Sequence, residues 1–138
     1  SAPVARQVEA AELFDAVAVE VAAVRHRHHN TGVVAPAALH HAIGDSLAAH
    51  GLSRVDHVHD LAYTDVPVFT AEAVKGLEFD GVVVVNAHQI FDGTALGARL
   101  LYVAMTRAVQ VLHLVADAPP PPCIGVFPYT PGGPETLR

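Results

Sequence analysis

Four consecutive valines at residues 82–85 are the feature that most constrains the fold of this chain. β-branched residues favour strands, and an apolar run with no polar interruption indicates a strand that is buried on both faces. Similar short apolar runs predict further strands at residues 31–34, 66–69 and 109–116. Such strands belong to parallel sheets that are covered by helices on both sides. The sequence therefore predicts an α/β fold with a mainly parallel sheet of about four to five strands.

Helical segments are predicted between these strands, at residues 7–27, 36–51 and 94–108. In each of them apolar residues recur mainly at spacings of three and four, which places them on one face of a helix. Residues 54–61 are weakly strand-like and predict an edge strand. The expected buried faces consist of Leu13, Val17, Val21 and Val24 in the first segment, Leu39, Ile43 and Leu47 in the second, and Leu96, Leu100, Leu101, Val103, Ala104 and Ala108 in the third.

The charge of the chain limits the partners that it binds by itself. The formal net charge is −6, which argues against a free-standing nucleic-acid binder that is held by phosphate contacts. Charged residues make up only 16% of the chain, against about 25% in typical globular domains. We therefore expect another domain or chain to cover part of the surface. The chain begins with Ser1 and not with Met, so a fragment or a processed chain is expected.

The sequence contains no apolar run of about 18 residues and no signal-peptide pattern, so we expect a cytoplasmic protein with no membrane partner. A single cysteine, Cys123, excludes an internal disulfide. The histidines number ten and raise the question of a metal site. His57 and His59 would share one strand face, but no third ligand at a suitable spacing is visible. Solvated histidines and no metal are therefore expected.

Polar residues crowd the entrance of the valine run. Lys75, Gly76 and Glu78 come just before it, and Asp80 follows them. Because this turn follows the predicted strand 66–69, we expect it to lie at the carboxyl edge of the sheet, where ligands bind in open α/β folds. Asp80 is expected to define the start of the strand.

Arg107 is a charged residue within the apolar face of the third helical segment. It falls between Leu100 and Val103 when the residues are placed at about 100° each. One interpretation is that Arg107 extends outward and stabilises the C-terminal end of the helix. The other is that its planar, permanently charged group faces an anion across an interface. The pattern alone leaves both interpretations open.

Two segments resemble motifs of a known enzyme family. The segment "TAEAVKGLEFDGVVVV" resembles motif V of superfamily 1 helicases of the UvrD/Rep kind, and "LLYVAMTRAVQVLHL" resembles their motif VI. The motifs occur in the expected order, with 107 − 78 = 29 residues from the glutamate to the arginine. The resemblance implies the second RecA-like domain of such a motor, a three-layer α/β domain, at residues 1–117. Motif V would span about 68–85 and motif VI about 100–115, with a Pro/Gly-rich tail at 118–138.

The resemblance also implies roles for individual residues. Arg107 is similar to the arginine finger that stabilises the γ-phosphate during ATP hydrolysis. Gly76 and Glu78 would bind the nucleotide, Gly76 by close backbone approach and Glu78 through the ribose hydroxyl. Thr70 would contact single-stranded DNA. The implied cofactor is ATP with Mg²⁺, and the metal would be held mainly by an N-terminal P-loop RecA-like domain. The motif VI positions that are expected to give packing or support without direct contact are Tyr102 and Thr106.

Three features depart from the UvrD/Rep pattern. The sequence has no GxxxxGK[ST] motif, so this chain is expected to be inactive in ATP hydrolysis by itself. Glu72 stands where the family usually has a histidine near nucleic acid, and its carboxylate repels phosphate. Only about thirty residues separate the strands ahead of motif V, too few for the large domain that UvrD-like enzymes insert there. All three features are compatible with the HelD-like branch, whose members act on bacterial RNA polymerase.

Two functions from different classes follow. The first is the C-terminal motor domain of an ATP-dependent DNA helicase or translocase, which is favoured by Arg107 and Glu78. The second is a HelD-like or docking module that binds RNA polymerase and unwinds little or no DNA, which is favoured by the low charge content and Glu72. An unrelated Rossmann-like domain would require a glycine-rich first turn, and the sequence has none.

Overall fold

The computed structural model of the chain describes residues 4–58 and 61–121, and the backbone alone of residues 134–136. Within these residues a single seven-stranded sheet has the order β3-β4-β2-β5-β6-β1-β7. All neighbouring strands are parallel except β1 and β7, which are antiparallel. The strands are β1 Val4–Gln7, β2 Thr31–Val34, β3 Ser53–Val55, β4 Asp65–Phe69, β5 Phe79–Val85, β6 Ala108–Ala116 and β7 Pro134–Thr136.

Helices cover both faces of this sheet. The four helices of the described part are α1 Leu13–Arg27, α2 His40–Ala49, the short α3 Ala87–Ile90 and α4 Ala95–Met105. Side chains of α1 and α2 form one core cluster with Val83 and Val85, whereas side chains of α3 and α4 form a second cluster with Val82 and Val84. Successive strand residues point to opposite faces. The valine run is therefore apolar throughout because each layer of helices packs against every second valine.

The predicted fold class is confirmed, although the sheet of the described residues has seven strands and not the expected four to five. The predicted strands appear as β2, β4, β5 and β6, and the weak segment near residue 54 forms β3 at the edge of the sheet. The first predicted helix is wrong at its start. Residues Val4–Gln7 pair with β6 as strand β1, and the α-helix begins at Leu13 after a 3₁₀ turn. Pairing with a distant strand decides the conformation of this segment, and local periodicity does not reveal it.

Part of the predicted tail also belongs to the sheet. Residues Pro134–Thr136 pair with β1 as strand β7, and most of the tail, including Cys123, lies outside the described residues.

The buried face of α4 is narrower than its sequence predicts. Leu101 and Ala104 are buried as expected, and Gly97 is buried about one turn before Leu101. Leu96, in contrast, is 63% exposed, and Leu100 is only partly buried. Leu101 and Ala104 pack in the core cluster on the sheet, whereas Gly97 lies against Asp92 in the loop ahead of α4. The apolar sector next to Arg107 is therefore left partly open.

Glycine is required where β5 lies against α1. A Cβ atom at Gly81 would lie 2.5 Å from Val24 Cγ1 and 2.9 Å from Thr31 Oγ1. Both neighbours are buried, so neither side chain has free space to move into. This close contact sets the separation of the helix layer and the central strand.

We predict that Gly81→Ala destabilises the fold by about 1–3 kcal/mol, because the added methyl overpacks the core. Gly44→Ala is the matched control in α2, where the new Cβ would lie 3.3 Å from the Cδ of the flexible Arg54 side chain. We expect Gly44→Ala to be neutral or to stabilise by up to about 1 kcal/mol, through helix propensity. Urea unfolding of both variants measures the difference, and equal effects would contradict the packing.

A charged cluster joins α1 to the sheet. The Glu20 carboxylate accepts a hydrogen bond from Nδ1 of His113 on β6 and lies 3.9 Å from the Arg6 guanidinium on β1. The hydrogen bond with His113 lowers the pKa of Glu20, against the opposing effect of burial, and the charges of His113 and Arg6 lower it further. A carboxyl group whose pKa is lowered by folding stabilises the fold above its unfolded pKa. This stabilisation is lost as the pH falls through the folded pKa.

We predict that Glu20→Gln lowers the free energy of unfolding at about pH 7, and that its deficit relative to wild type shrinks as the pH approaches about 3. Chemical unfolding over this pH range measures both quantities. Glu12→Gln, at an exposed carboxylate ahead of α1, is the control and should change stability little. A deficit for Glu20→Gln that is independent of pH would show that the carboxylate charge does not contribute.

Candidate functional site

The segment between β4 and β5 crosses the domain from one edge of the sheet to the other. Phe69, the last residue of β4, is the register partner of Val34 in β2. Val34 is in turn the register partner of Val84, near the end of β5. Thr70 therefore lies at the carboxyl edge. Glu78 directly precedes β5 and lies at the amino edge, roughly 20 Å away at 3.3 Å per strand residue. The expectation that the whole turn lies at the carboxyl edge is thus wrong, because parallel strands oblige the connection to return to the opposite edge.

Thr70 holds the start of this crossing segment. Its Oγ1 accepts a hydrogen bond from the backbone N–H of Ala73 at 3.2 Å, and its carbonyl accepts one from Val74 at 3.2 Å. Val74 is fully buried, so the turn is attached to the core on the α4 side of the sheet. Thr70 thus has a local structural role, and the exposed Glu72 lies beside it.

Gly76 adopts a backbone conformation that few other residues tolerate. Its φ is +84°, and a Cβ atom at this position would meet nothing within 4 Å. The glycine is therefore required by the left-handed turn and not by crowding within the domain. On either side of it, Lys75 and Glu78 are exposed. The turn directs the Leu77 carbonyl towards Arg107, whose Nη1 donates to it at 3.5 Å.

Arg107 is oriented by the way in which α4 ends. The Arg107 backbone N–H bonds to the carbonyl of Ala104 at 3.3 Å, which leaves the Val103 carbonyl without its usual helical donor. The Nε of Arg107 donates to this carbonyl at 3.1 Å. The carbonyl of Arg107 accepts from the N–H of Phe79 at 2.9 Å, which joins the start of β5 to the end of α4. The helix-terminal role considered for Arg107 is therefore present in the structure.

The guanidinium of Arg107 keeps the capacity to bind an anion. Its partners in the described part of the chain are the carbonyls of Val103 and Leu77 and the hydroxyl of Thr106 at 3.4 Å. An arginine has five N–H donors, so three such bonds leave two, and no carboxylate of residues 4–58 or 61–121 forms an ion pair with this side chain. Arg107 is partly exposed, so an external anion can reach it.

The structure brings Gly76, Glu78 and Arg107 together and separates Thr70 from them. Phe79 is the register partner of Ala108, so Glu78 and Arg107 directly precede two paired positions. The C-terminal end of α1 reaches the same edge. It adds a basic segment with the sequence "RHRHH" at residues 25–29.

Two further observations concern residues outside this group. Tyr102, for which packing or support was expected, is 68% exposed and therefore does not pack in the core of the described residues. Asn86 was not singled out from the sequence, although it is buried, has a φ of +51° and accepts from the N–H of Asp117 at 3.1 Å. A polar residue directly after four valines was the available signal, because asparagine tolerates left-handed backbone. Asn86 joins the carboxyl ends of β5 and β6.

A nucleotide would find only part of a binding site here. Arg107 offers two donors to a phosphate, and Glu78 offers an acceptor to a hydroxyl. Within residues 4–58 and 61–121, no group of three or more metal-ligating side chains could hold a metal ion. Of the two histidines that were expected to share a strand face, His57 lies among the described residues and His59 lies outside them. No helix in the described residues is long and apolar enough to cross a membrane.

We predict that Gly76→Ala lowers the free energy of unfolding by about 1 kcal/mol, because an L-residue is strained in left-handed backbone. Gly76→Asn should cost less, because asparagine tolerates this region although it is larger than alanine. Urea unfolding of the two variants tests the order. If asparagine is tolerated no better than alanine, the turn conformation is not the reason for the glycine.

Comparison with known proteins found helicase domains that are similar to this chain. Residues 65–115 match the sequence model of the UvrD-like helicase C-terminal domain. No curated protein matches the chain. Among solved structures, the C-terminal domain of a possible DNA helicase from Lactobacillus plantarum is similar, with 26% identity and a TM-score of 0.73. The similarity covers 94% of this chain and 83% of that one. The predicted resemblance is confirmed: residues 65–115, which include both motif regions, are similar in sequence to UvrD-like helicase C-terminal domains. Nearly the whole chain is similar in fold to the C-terminal domain of a possible DNA helicase.

Proposed function

We propose that this chain is the second RecA-like domain of an ATP-dependent helicase or translocase and that it completes an ATP site on a P-loop domain. The observation that carries the proposal is the set of hydrogen bonds that the Arg107 side chain makes. Its guanidinium is oriented by three oxygen atoms and has no carboxylate partner among the described residues. Two of its five N–H donors are left for partners outside the described residues. A P-loop domain with bound ATP supplies the anion that these donors match.

The chemistry of phosphoryl transfer explains why an arginine serves at this position. Negative charge on the γ-phosphoryl oxygens must be stabilised as the bond to the leaving group breaks, and a planar guanidinium forms two parallel hydrogen bonds to such oxygens. In the proposal, Arg107 makes these bonds and acts as the catalytic arginine. Because its orientation is held before the nucleotide arrives, little reorganisation is needed at the moment of reaction.

The neighbouring residues have supporting roles in the proposal. Glu78 accepts a hydrogen bond from the ribose hydroxyl, and the turn at Gly76 brings the backbone towards the nucleotide. Mg²⁺ would be held mainly by the P-loop domain, since the described part of this chain has no metal-ligating cluster. Because the sequence has no GxxxxGK[ST] motif, this chain alone does not hydrolyse ATP in the proposal.

A second candidate function is favoured by the negative charges at the carboxyl edge of the sheet, opposite the edge that contains Arg107. Glu9, Glu72 and Asp117 follow the carboxyl ends of β1, β4 and β6, and Thr70 lies at the same edge. Carboxylates repel the phosphates of single-stranded DNA, so this edge is better suited to a partner with a basic surface. A HelD-like module that docks on RNA polymerase is such a case. In this alternative the ATP site is retained, and Thr70 does not contact nucleic acid.

We predict that Arg107→Ala lowers kcat for ATP hydrolysis by about 10³–10⁵-fold in the polypeptide that joins this chain to a P-loop domain, with little change in nucleotide binding. Arg107→Lys should recover little of the activity, because an ammonium group lacks the planar pair of donors. Steady-state hydrolysis and nucleotide titration give the two quantities.

Arg99→Ala is the matched control, because Arg99 is an exposed arginine on the outer side of α4. Its turnover should equal that of the wild type. Unchanged turnover in Arg107→Ala would refute the proposal. Addition of single-stranded DNA separates the two candidates, since stimulation supports a translocase and its absence, with turnover intact, supports the docking module.

A further inference from the structure

The end of α4 contains a second side chain that bonds to the same carbonyl as Arg107. Thr106 Oγ1 donates to the Val103 carbonyl at 3.0 Å, and Arg107 Nε donates to that carbonyl at 3.1 Å. The Thr106 hydroxyl in turn accepts from Arg107 Nη2 at 3.4 Å. A hydroxyl has one proton and two acceptor positions, so a single hydroxyl makes both bonds. The three residues form a closed ring of hydrogen bonds.

This ring determines the plane of the guanidinium. A single bond from Nε to Val103 would still allow the group to rotate about the bonds nearer the backbone. The second bond, from Nη2 to Thr106, restricts this rotation, and the third, from Nη1 to the Leu77 carbonyl, contacts the opposite side of the fork. Arginine side chains adopt many rotamers when they are not held. The position of the two remaining donors therefore depends on Thr106.

We infer that Thr106 is a positioning residue, whose hydroxyl holds the Arg107 guanidinium in the orientation that receives the γ-phosphate. The inference rests on the proposed function, since it assigns a reaction to Arg107. Thr106 itself does not touch the nucleotide. Its effect is on the rate of the chemical step, because misplacement of a catalytic group by about 1 Å costs far more in turnover than in substrate binding.

Two substitutions separate the hydroxyl from the shape of the side chain. Thr106→Val keeps the branched shape and removes the hydroxyl, whereas Thr106→Ser keeps the hydroxyl and removes a methyl group. Thr106 is exposed and follows the last residue of α4, so neither variant disturbs a buried core. If Thr106 only ends the helix, valine and serine should differ in stability but not in the behaviour of Arg107.

The first measurement is made on the 138-residue chain without nucleotide. Nitrogen-15 exchange spectroscopy reports rotation about the Nε–Cζ bond of Arg107. We expect this rotation to be slow in the wild type and in Thr106→Ser, and several-fold faster in Thr106→Val. A dispersed amide spectrum of each variant shows that the chain is folded. Equal rotation rates in all three proteins would overturn the inference.

The second measurement is ATP hydrolysis by the polypeptide that includes the P-loop domain. Thr106→Val should lower kcat by about tenfold, as expected for loss of one hydrogen bond to a charged group, while KM stays within about twofold. Thr106→Ser should retain most of kcat. Loss in both variants, or in neither, would overturn the inference.

Arg107→Ala, measured alongside, distinguishes failure of the inference from failure of the proposed function. If Arg107→Ala abolishes turnover and Thr106→Val does not lower it, Arg107 is catalytic and Thr106 does not position it. If Arg107→Ala leaves turnover unchanged, the proposed function fails, and the role of Thr106 in catalysis fails with it. Faster rotation together with a loss of kcat restricted to Thr106→Val supports the inference.

Discussion

Burial of β5 on both faces is the constraint on which the rest of this structure depends. The strand lies between β2 and β6 in the middle of the sheet, and Val82 to Val85 are completely inaccessible to solvent. Alternate valines join two separate core clusters, so one strand supports both layers of helices. A polar residue within this run would lose its hydration without finding a partner. The polar groups of the segment are therefore restricted to its two ends.

The two ends of β5 face different chemical surroundings. At the amino edge, Glu78 and Arg107 precede paired positions of β5 and β6, and the basic end of α1 lies at the same edge. At the carboxyl edge, carboxylates follow several strands, and Asn86 and Asp117 are joined by a hydrogen bond. At the amino edge the free donors of Arg107 suit an anion, whereas the carboxylate of Glu78 suits a hydroxyl group.

One short segment connects these edges physically. From Thr70 it passes through the buried Val74 to Leu77, whose carbonyl contacts Arg107. A chain of hydrogen bonds that is only a few residues long therefore joins the two edges.

The layers of the fold could be predicted from the sequence because apolar runs and helical spacing are local patterns. Val17 and Val21 of α1, and Ile43 and Leu47 of α2, are buried as their spacing indicated. Strand β1 could not be predicted in this way, since Val4–Gln7 acquires its conformation from pairing with β6. The exposure of Leu96 could not be predicted either, because the width of the covered sector of α4 depends on where the sheet lies.

For the site, the amino-acid sequence by itself determined which residues are chemically able to act: a permanently charged arginine after an apolar helix, and a glycine and a glutamate before a valine run. Only the tertiary structure decided which of them meet. Parallel pairing of β5 with β6 places Glu78 beside Arg107 and leaves Thr70 at the other edge. The irregular end of α4 exposes the Val103 carbonyl, and this carbonyl orients the arginine together with Thr106 and Leu77. Such contacts depend on the geometry of backbone groups, which are the same at every position of a sequence and differ only once the chain has folded.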